Sequence, residues 1–338
     1  MRQVWITRAG PPEVLEVREA PDPEPTEGQV RVRVRAAGIN FADLLARLGL
    51  YPDAPKPPCV VGYEVSGVVD GVGAGVTGFA EGDRVLAMPK FGGYTDVLAV
   101  ASSQVFKMPA RMTFEDGAAL PVVYLTAHHM MIFTGALRPG STVLVHSAAG
   151  GVGLAAVQIA KSRGCTIFGT SSASKHAFLR DQGCQYPIDS SGDYVAAVRE
   201  VVKERGIDLI LDPMGGKSWR DGYDLLAPCG RLVAFGLSAV SSGKRRHLLH
   251  AIGTLLQVPK FSPVKLMDQN KTVAGTNMGH LFDRTDLLRP QFESLIAMYE
   301  SAAIAPHIAK TFPFEEAPAA HHFLHDRKAI GKVLLVPS

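Results

Sequence analysis

The sequence predicts an α/β chain in two parts. A partly open β-barrel spans 1–117 and is completed by 303–338, and a doubly wound parallel sheet spans 118–302. Three observations carry this reading. Period-two apolar alternation with frequent turn residues fills the first third, as in VRVRVR from Val30 to Arg35. After Pro109 strand-like and helix-like patterns alternate, which implies parallel strands covered on both faces. Residues 142–161, TVLVHSAAGGVGLAAVQIAK, read as strand, glycine turn and helix.

Taken in order, Gln3 to Thr7 and Leu15 to Arg18 alternate as strands. PDPEPTEG follows, a loop that no helix could cross. Val30 to Arg35 has one apolar and one basic face. Gly62 to Val69 and Asp83 to Met88 are further strands, joined by the turn-rich GVGAGVTGFAEGD. Helices are expected over Phe114 to Ala119 and Tyr124 to Phe133. The second part then alternates strands at Thr142 to His146, Cys165 to Thr170, Tyr186 to Asp189, Ile207 to Asp212, Arg231 to Gly236 and Thr272 to Thr276. Between and after them come helices at Leu154 to Ala160, Lys175 to Gln182, Tyr194 to Arg205, Trp219 to Leu226, Lys244 to Val258 and Asp286 to Ala302. The tail adds strands at Ile308 to Phe312 and Lys332 to Val336 around a helix from Glu315 to His325.

The glycine turn suggests phosphate. A helix opening leaves backbone N–H groups unpaired at its positive end, and glycines let a pyrophosphate reach them without meeting a Cβ. Gly150, Gly151, Val152 and Gly153 do not spell strict G-x-G-x-x-G, and such turns also join strands to helices with no ligand. In a dinucleotide-binding unit the second strand normally ends in Asp or Glu, which holds the adenosine ribose 2′-hydroxyl. Here CTIFGT runs into Ser171, Ser172, Ser174 and Lys175, with no carboxylate before Asp181. Ser172 and Lys175 suit a 2′-phosphate, so NADPH is favoured over NADH. Alternatively, the serines cap the next helix.

Composition narrows the classes. At 46% hydrophobic and 20% charged residues the chain is globular, and a formal charge of +3 over 338 residues argues against a nucleic-acid binder. Cys59, Cys165, Cys184 and Cys229 have neither zinc-site nor disulfide-framework spacing and are expected to be small core residues. The N-terminus lacks an apolar signal core, and no stretch approaches the ~20 apolar residues of a membrane span. A cytoplasmic protein without stable membrane insertion is expected.

With these patterns in view the chain resembles the medium-chain dehydrogenase/reductase superfamily. The carrying segments are AAGIN (36–40), GYEVSGVV (62–69), GDRV (82–85), LTA (125–127), AAGGVG (148–153) and GKVLLVP (331–337). GINFADL (38–44) and GLYP (49–52) look like the active-site segments of its zinc-free quinone oxidoreductase group. GTSSASKH, DPMGG and GKRRHLL look like that group's synaptic vesicle membrane protein branch. The resemblance implies a GroES-like catalytic domain and a Rossmann domain. In the superfamily's metal enzymes a cysteine follows the first segment and a histidine precedes the glutamate of the second. Here Asn40 and Phe41 fill the first region, Tyr63 precedes Glu64, and no cysteine lies between Cys59 and Cys165. No zinc is therefore expected.

Without a metal, a nicotinamide can still reduce a carbon that is already electron-poor, as in a quinone, an enone or an enoyl-CoA thioester. The oxygen on which charge develops needs hydrogen-bond donors, each worth about 3 to 4 kcal/mol in a dry pocket. Tyr51, Asn40 and Tyr63 are candidates, and the resemblance places Asn40, Asp43 and Tyr51 around the nicotinamide. In the competing reading, Asn40 and Asp43 hold a loop and Tyr51 packs beside Pro52. Proton return is assigned to Tyr51 or to water. By the same resemblance Gly151 and Val152 meet the pyrophosphate and Ser172 and Lys175 the 2′-phosphate. Ser190 replaces a tyrosine of related enzymes, Thr126 faces the nicotinamide ribose, and Phe235, Gly236 and Leu237 flank the carboxamide.

Lys244, Arg245, Arg246 and His247 form the densest basic run. It is either a solvated helix face or a clamp in which Arg245 and Arg246 hold a phosphorylated substrate such as a coenzyme A thioester. His321 and His325 have chelating i, i+4 spacing but are expected on a surface helix. Two functions result: an NADPH-dependent reductase of activated double bonds, or an NADPH-binding redox-sensing or interaction protein with little turnover. A homodimer is expected from the resemblance, through a strand such as Thr272 to Thr276.

Overall fold

The computed structural model describes residues 1–238, 253–254 and 256–337. The chain divides into two compact units, one of Met1–Leu125, Gly279–Glu300 and Ala305–Ser338, the other of Thr126–Met278 and Ser301–Ile304.

The first unit is built around the long strand Gln29–Ile39, which pairs antiparallel with Val65–Val72, Val97–Ala101 and Lys332–Val336. Its alternation does what the pattern predicts. Val30, Val32 and Val34 are buried, while Arg31 and Arg33 turn outward and both pair with Asp70 on the neighbouring strand. Strands Arg84–Ala87 and Val105–Lys107 continue the sheet beyond Val65–Val72, and Ile308–Pro313 runs parallel to Lys332–Val336 at the other edge. A second sheet joins Leu15–Glu19, Arg2–Ile6 and Cys59–Val60.

The helix Thr285–Glu300, which the sequence reading placed in the second part, clusters with this unit. Its apolar stripe of Leu288, Phe292, Leu295 and Tyr299 is buried. Phe292 meets Phe106 at a 4.2 Å centroid distance, and the Tyr299 hydroxyl donates to Asp116 Oδ2 at 2.7 Å.

The second unit is a six-stranded sheet in the order Tyr186–Asp189, Thr166–Ser171, Thr142–Val145, Ile207–Asp212, Leu226–Ala234 and Thr272–Gly275. Every pairing is parallel. The chain starts at Thr142–Val145, winds to one edge, then returns to wind the other way from Ile207–Asp212. The switch point therefore lies between these two central strands, and their carboxyl ends form the crevice in which such sheets bind ligands. Their largely buried, near-continuous apolar runs follow from helices on both faces.

Further elements differ from expectation. The helix read over Tyr124 to Phe133 is an α-helix at Pro121–His128 that widens to a π-helical turn at His129–Thr134. Helices at Phe41–Arg47 and Pro263–Gln269 have no counterpart among the expected elements. Among the described residues no helix is long and apolar enough to cross a membrane.

Candidate active site

In the first unit the site is organised by the start of helix Phe41–Arg47. Asn40 is extended at the N-cap, and Asp43, three residues on, accepts the Asn40 N–H on Oδ2 at 2.7 Å. The other Asp43 oxygen accepts the Gly62 N–H at 3.0 Å, so this carboxyl ties the helix start to the next strand segment. Asp43 is fully buried. Burial pushes its carboxyl up to about 7, against the pull of the Asn40 N–H, the Lys332 ammonium, the Tyr94 hydroxyl and the Gly62 N–H.

Both ends of the Asn40 amide are engaged. Nδ2 donates to Glu64 Oε1 at 2.8 Å, and Oδ1 accepts from Lys332 Nζ at 2.9 Å. Lys332 also donates to the Ile39 carbonyl at 2.8 Å and to Glu64 Oε1 at 2.6 Å, while Glu64 Oε2 accepts the Val122 N–H at 2.7 Å. Gly38 makes room for this arrangement, because a Cβ there would strike Glu64 Oε1 and lie 2.6 Å from the Ala118 carbonyl oxygen. Sequence reasoning passed over Glu64 and Lys332 as site residues. Their signal was a lone charge at each of two strand segments whose neighbours are apolar, GYEVSG and GKVLLV.

Tyr63 is 3% exposed. Its ring lies against Phe91 at 5.2 Å, stacks on Phe282 at 6.0 Å and meets the edge of Tyr51 at 6.4 Å. Its hydroxyl is buried and meets no partner at ordinary hydrogen-bond distance among the described residues, while the Tyr51 hydroxyl lies near enough to pull on it. Burial, then the nearby Asp43 carboxyl, pushes the phenol far above its ordinary range. Tyr51 is only partly buried, and its phenol is raised by burial and then by Asp53. The unit thus brings Asn40, Asp43, Tyr51 and Tyr63 together.

In the second unit the glycine turn sits at the switch point. Ser147 adopts the left-handed region at φ 55°, and the Gly150 N–H donates to its carbonyl at 2.9 Å. A Cβ at Gly153 would collide with that same carbonyl oxygen and come 2.7 Å from Ala148 Cα, so the closure of the turn requires glycine. Helix Gly151–Ser162 opens at Gly150 with no side chain capping it. Its first N–H groups at Gly151 and Val152 therefore have the form of an anion site.

Beyond the neighbouring strand, the Ser172 side chain caps no helix and lies 3.3 Å from Ser174 Oγ. Ser190 reaches the same end of the sheet, its N–H donating to the Ser171 carbonyl at 2.8 Å. Lys175 follows in the short 3-10 turn Ala173–Lys175. Register also sets Asp189 opposite Ser171. This carboxylate was overlooked because it sits on the next strand. It accepts the Ser191 N–H at 3.0 Å, which holds it below the usual range.

Phe235, Gly236 and Leu237 follow strand Leu226–Ala234, with the Phe235 N–H donating to the Asp212 carbonyl at 3.1 Å. Asp212 is another residue the sequence did not single out. Fully buried, it takes the Met214 N–H at 2.6 Å and the Ser218 hydroxyl, which shapes the turn beside those residues. Thr126 is buried in helix Pro121–His128.

Three expectations are corrected or fall elsewhere. His321 is fully buried, with Nε2 3.4 Å from the Tyr94 hydroxyl, because its helix packs on the barrel rather than standing free. Cys229 is exposed, at a left-handed kink (φ 65°) within its strand, while the other three cysteines are buried. Lys244, Arg245, Arg246 and His247 lie outside the described residues. Among the described residues no group of three or more His, Cys, Asp or Glu side chains could hold a metal ion.

Comparison with known proteins identifies the family. The alcohol dehydrogenase GroES-like domain family matches residues 26–110, and the zinc-binding dehydrogenase family matches residues 182–335. The human synaptic vesicle membrane protein VAT-1 homolog is 41% identical over 325 residues, covering 96% of this chain and 82% of that protein. A Pseudomonas aeruginosa quinone oxidoreductase is 35% identical over 340 residues, covering 99% of both. The crystal structure of Escherichia coli quinone oxidoreductase complexed with NADPH superposes with a TM-score of 0.88 at 28% identity, covering 100% of both chains. With such identity across nearly its whole length, the chain belongs to the medium-chain dehydrogenase/reductase superfamily, in the group that holds its quinone oxidoreductases and VAT-1 homologues.

Proposed function

We propose that the chain is a metal-independent, NADPH-dependent reductase of a C=C bond conjugated to a carbonyl, in a quinone, an enone or an enoyl thioester. The observation that carries this reading is the Tyr63 hydroxyl, buried among aromatic rings beside the Tyr51 hydroxyl and with no partner at ordinary hydrogen-bond distance. A buried donor left unmatched costs about 1–3 kcal/mol. A substrate oxygen gaining negative charge would satisfy it.

The residues present do not fit a catalytic zinc. The one carboxylate of the second family segment, Glu64, already accepts from Lys332, Asn40 and Val122, and an amide and a phenol stand beside it where thiolate and imidazole would be needed. They do fit NADPH. Gly151 and Val152 would present N–H groups to its pyrophosphate, Ser172, Lys175 and Ser190 would meet the 2′-phosphate, and Thr126, Phe235, Gly236 and Leu237 would hold its nicotinamide end. Such a cofactor, when bound, supplies hydride.

Tyr63 and Tyr51 would hold the substrate oxygen. The Tyr63 phenol is too weak an acid to give up its proton readily, so it orients and stabilises while Tyr51 or water returns the proton. Asn40 and Asp43 act by position, fixing the helix start and the Gly62 backbone. Arg245 and Arg246 remain assigned as a clamp for the phosphates of an acyl-CoA. A homodimer through the sheet edge at Thr272–Gly275 completes the reading.

The test is NADPH oxidation followed with a panel of quinones, enones and enoyl-CoA thioesters. Turnover with one class supports the reductase and names its substrate. Tight NADPH binding with no turnover on any of them defeats it in favour of a redox-sensing or interaction protein.

A further inference from the structure

We infer that Arg47 and His321 form an internal site for a small monovalent inorganic anion, a halide, inside the barrel unit. Arg47 ends the helix that Asn40 begins, and it is fully buried. Its Nη2 lies 3.2 Å from His325 Nδ1, but Nε and Nη1 have no hydrogen-bond partner. Among the described residues no carboxylate lies within ion-pair distance of it. His321, one helical turn before His325 on Ala317–His325, is also fully buried, and its Nδ1 has no partner. When Asp43 holds its own proton, the Tyr94 hydroxyl can donate to His321 Nε2, which leaves the ring proton on Nδ1.

The charges that face this cluster do not neutralise it. Glu13 pulls on Arg47 from a distance, but it is exposed and bonded to His322 at 2.6 Å. Asp43 has its two oxygens on the Asn40 and Gly62 N–H groups. Burial lowers the Arg47 guanidinium only to about 10, so it stays charged at neutral pH. An uncompensated buried cation is costly. Water could fill the hydrogen bonds of Nε, Nη1 and His321 Nδ1 but not balance the charge, whereas a halide does both. Arg47, His321 and Tyr94 are all fully buried, so the ion would be cut off from bulk solvent. The bound ion would brace the carboxyl end of the helix that positions Asn40 and Asp43. None of this depends on the proposed reaction.

Bromide soaked into crystals of the full chain provides the test. An anomalous peak within hydrogen-bond reach of Arg47 Nε or Nη1 is expected, and ordered waters without bromide there would overturn the inference whatever else is measured. In solution, exchanging gluconate for chloride at constant ionic strength should raise the wild-type melting midpoint by a few degrees. Arg47→Met should abolish that rise. Should the variant fail to fold, the wild-type crystal and melting comparisons decide alone, and equal midpoints in the two salts count against the site.

Discussion

Lys332 sets its ammonium 2.6 Å from Glu64 Oε1, with side chains 4% and 0% exposed. All three of its protons are used, on Glu64, Asn40 and the Ile39 carbonyl. The ammonium thus brings positive charge to the buried glutamate of the GYEVSG segment. Removing one member of a buried pair strands the other, at a cost of about 3–5 kcal/mol. Lys332→Met should lower stability by that order in urea unfolding, and adding Glu64→Gln should recover part of it. A Lys332→Met protein as stable as the wild type would mean that the pair contributes nothing.

Tyr63→Phe should separate stability from activity. Deleting a buried hydroxyl that has no partner at ordinary hydrogen-bond distance relieves part of a cost of about 1–3 kcal/mol, so the variant should melt at or above the wild-type temperature. Loss of one donor to a developing oxyanion should lower kcat by about 100- to 1,000-fold. Unchanged kcat in a well-folded variant would remove Tyr63 from the reaction.

The elements whose burial is set locally were legible in the sequence. Val30, Val32 and Val34 announce an inward face, and the continuous run Thr142 to Val145 announces a strand covered on both sides. What escaped depends on distant partners. The Asn40–Asp43 spacing signals a helix start, but Phe41–Arg47 is too short for a period to show. His321 looked like a surface histidine because Tyr94, 227 residues away in sequence, is what buries it. Parallel register alone sets Asp189 beside Ser171. In each case the missing information is a pairing that no local pattern encodes.

Asp43 should make stability fall as pH rises. Its carboxyl is raised to about 7 in the folded protein against 3.8 ordinarily, so the native state holds the proton more tightly. The contribution is fully present below the unfolded value and is lost as pH climbs through about 7, a span on the order of 4 kcal/mol. Urea unfolding of wild type and Asp43→Asn at about pH 5 and about pH 8 isolates it. The wild type should lose more stability across that interval, and parallel profiles would contradict the assignment.

The glycines of the turn should differ in their tolerance of alanine. At Gly150 an added Cβ meets only the Ser147 carbonyl oxygen, at 3.3 Å, whereas at Gly153 it collides with that atom and with Ala148 backbone. Gly153→Ala should therefore lower the melting temperature and weaken NADPH binding severely, with Gly150→Ala much milder in both. Calorimetric titration and thermal melting of the two variants check the order, and reversed severity would refute the packing argument.

Cofactor choice should follow from Ser172 and Lys175. Charge-assisted hydrogen bonds to a 2′-phosphate contribute about 1.5–3 kcal/mol each, reduced here by exposure. Ser172→Ala and Lys175→Ala should each raise the Kd for NADPH by about tenfold and leave NADH nearly unchanged, because NADH has no phosphate at that position. Asp189, held ionised opposite Ser171, supplies the opposing influence. Its carboxylate repels a 2′-phosphate and can accept from a 2′-hydroxyl, so Asp189→Asn should shift preference further toward NADPH. Equal effects on both nucleotides from the serine and lysine changes would place the 2′-phosphate elsewhere.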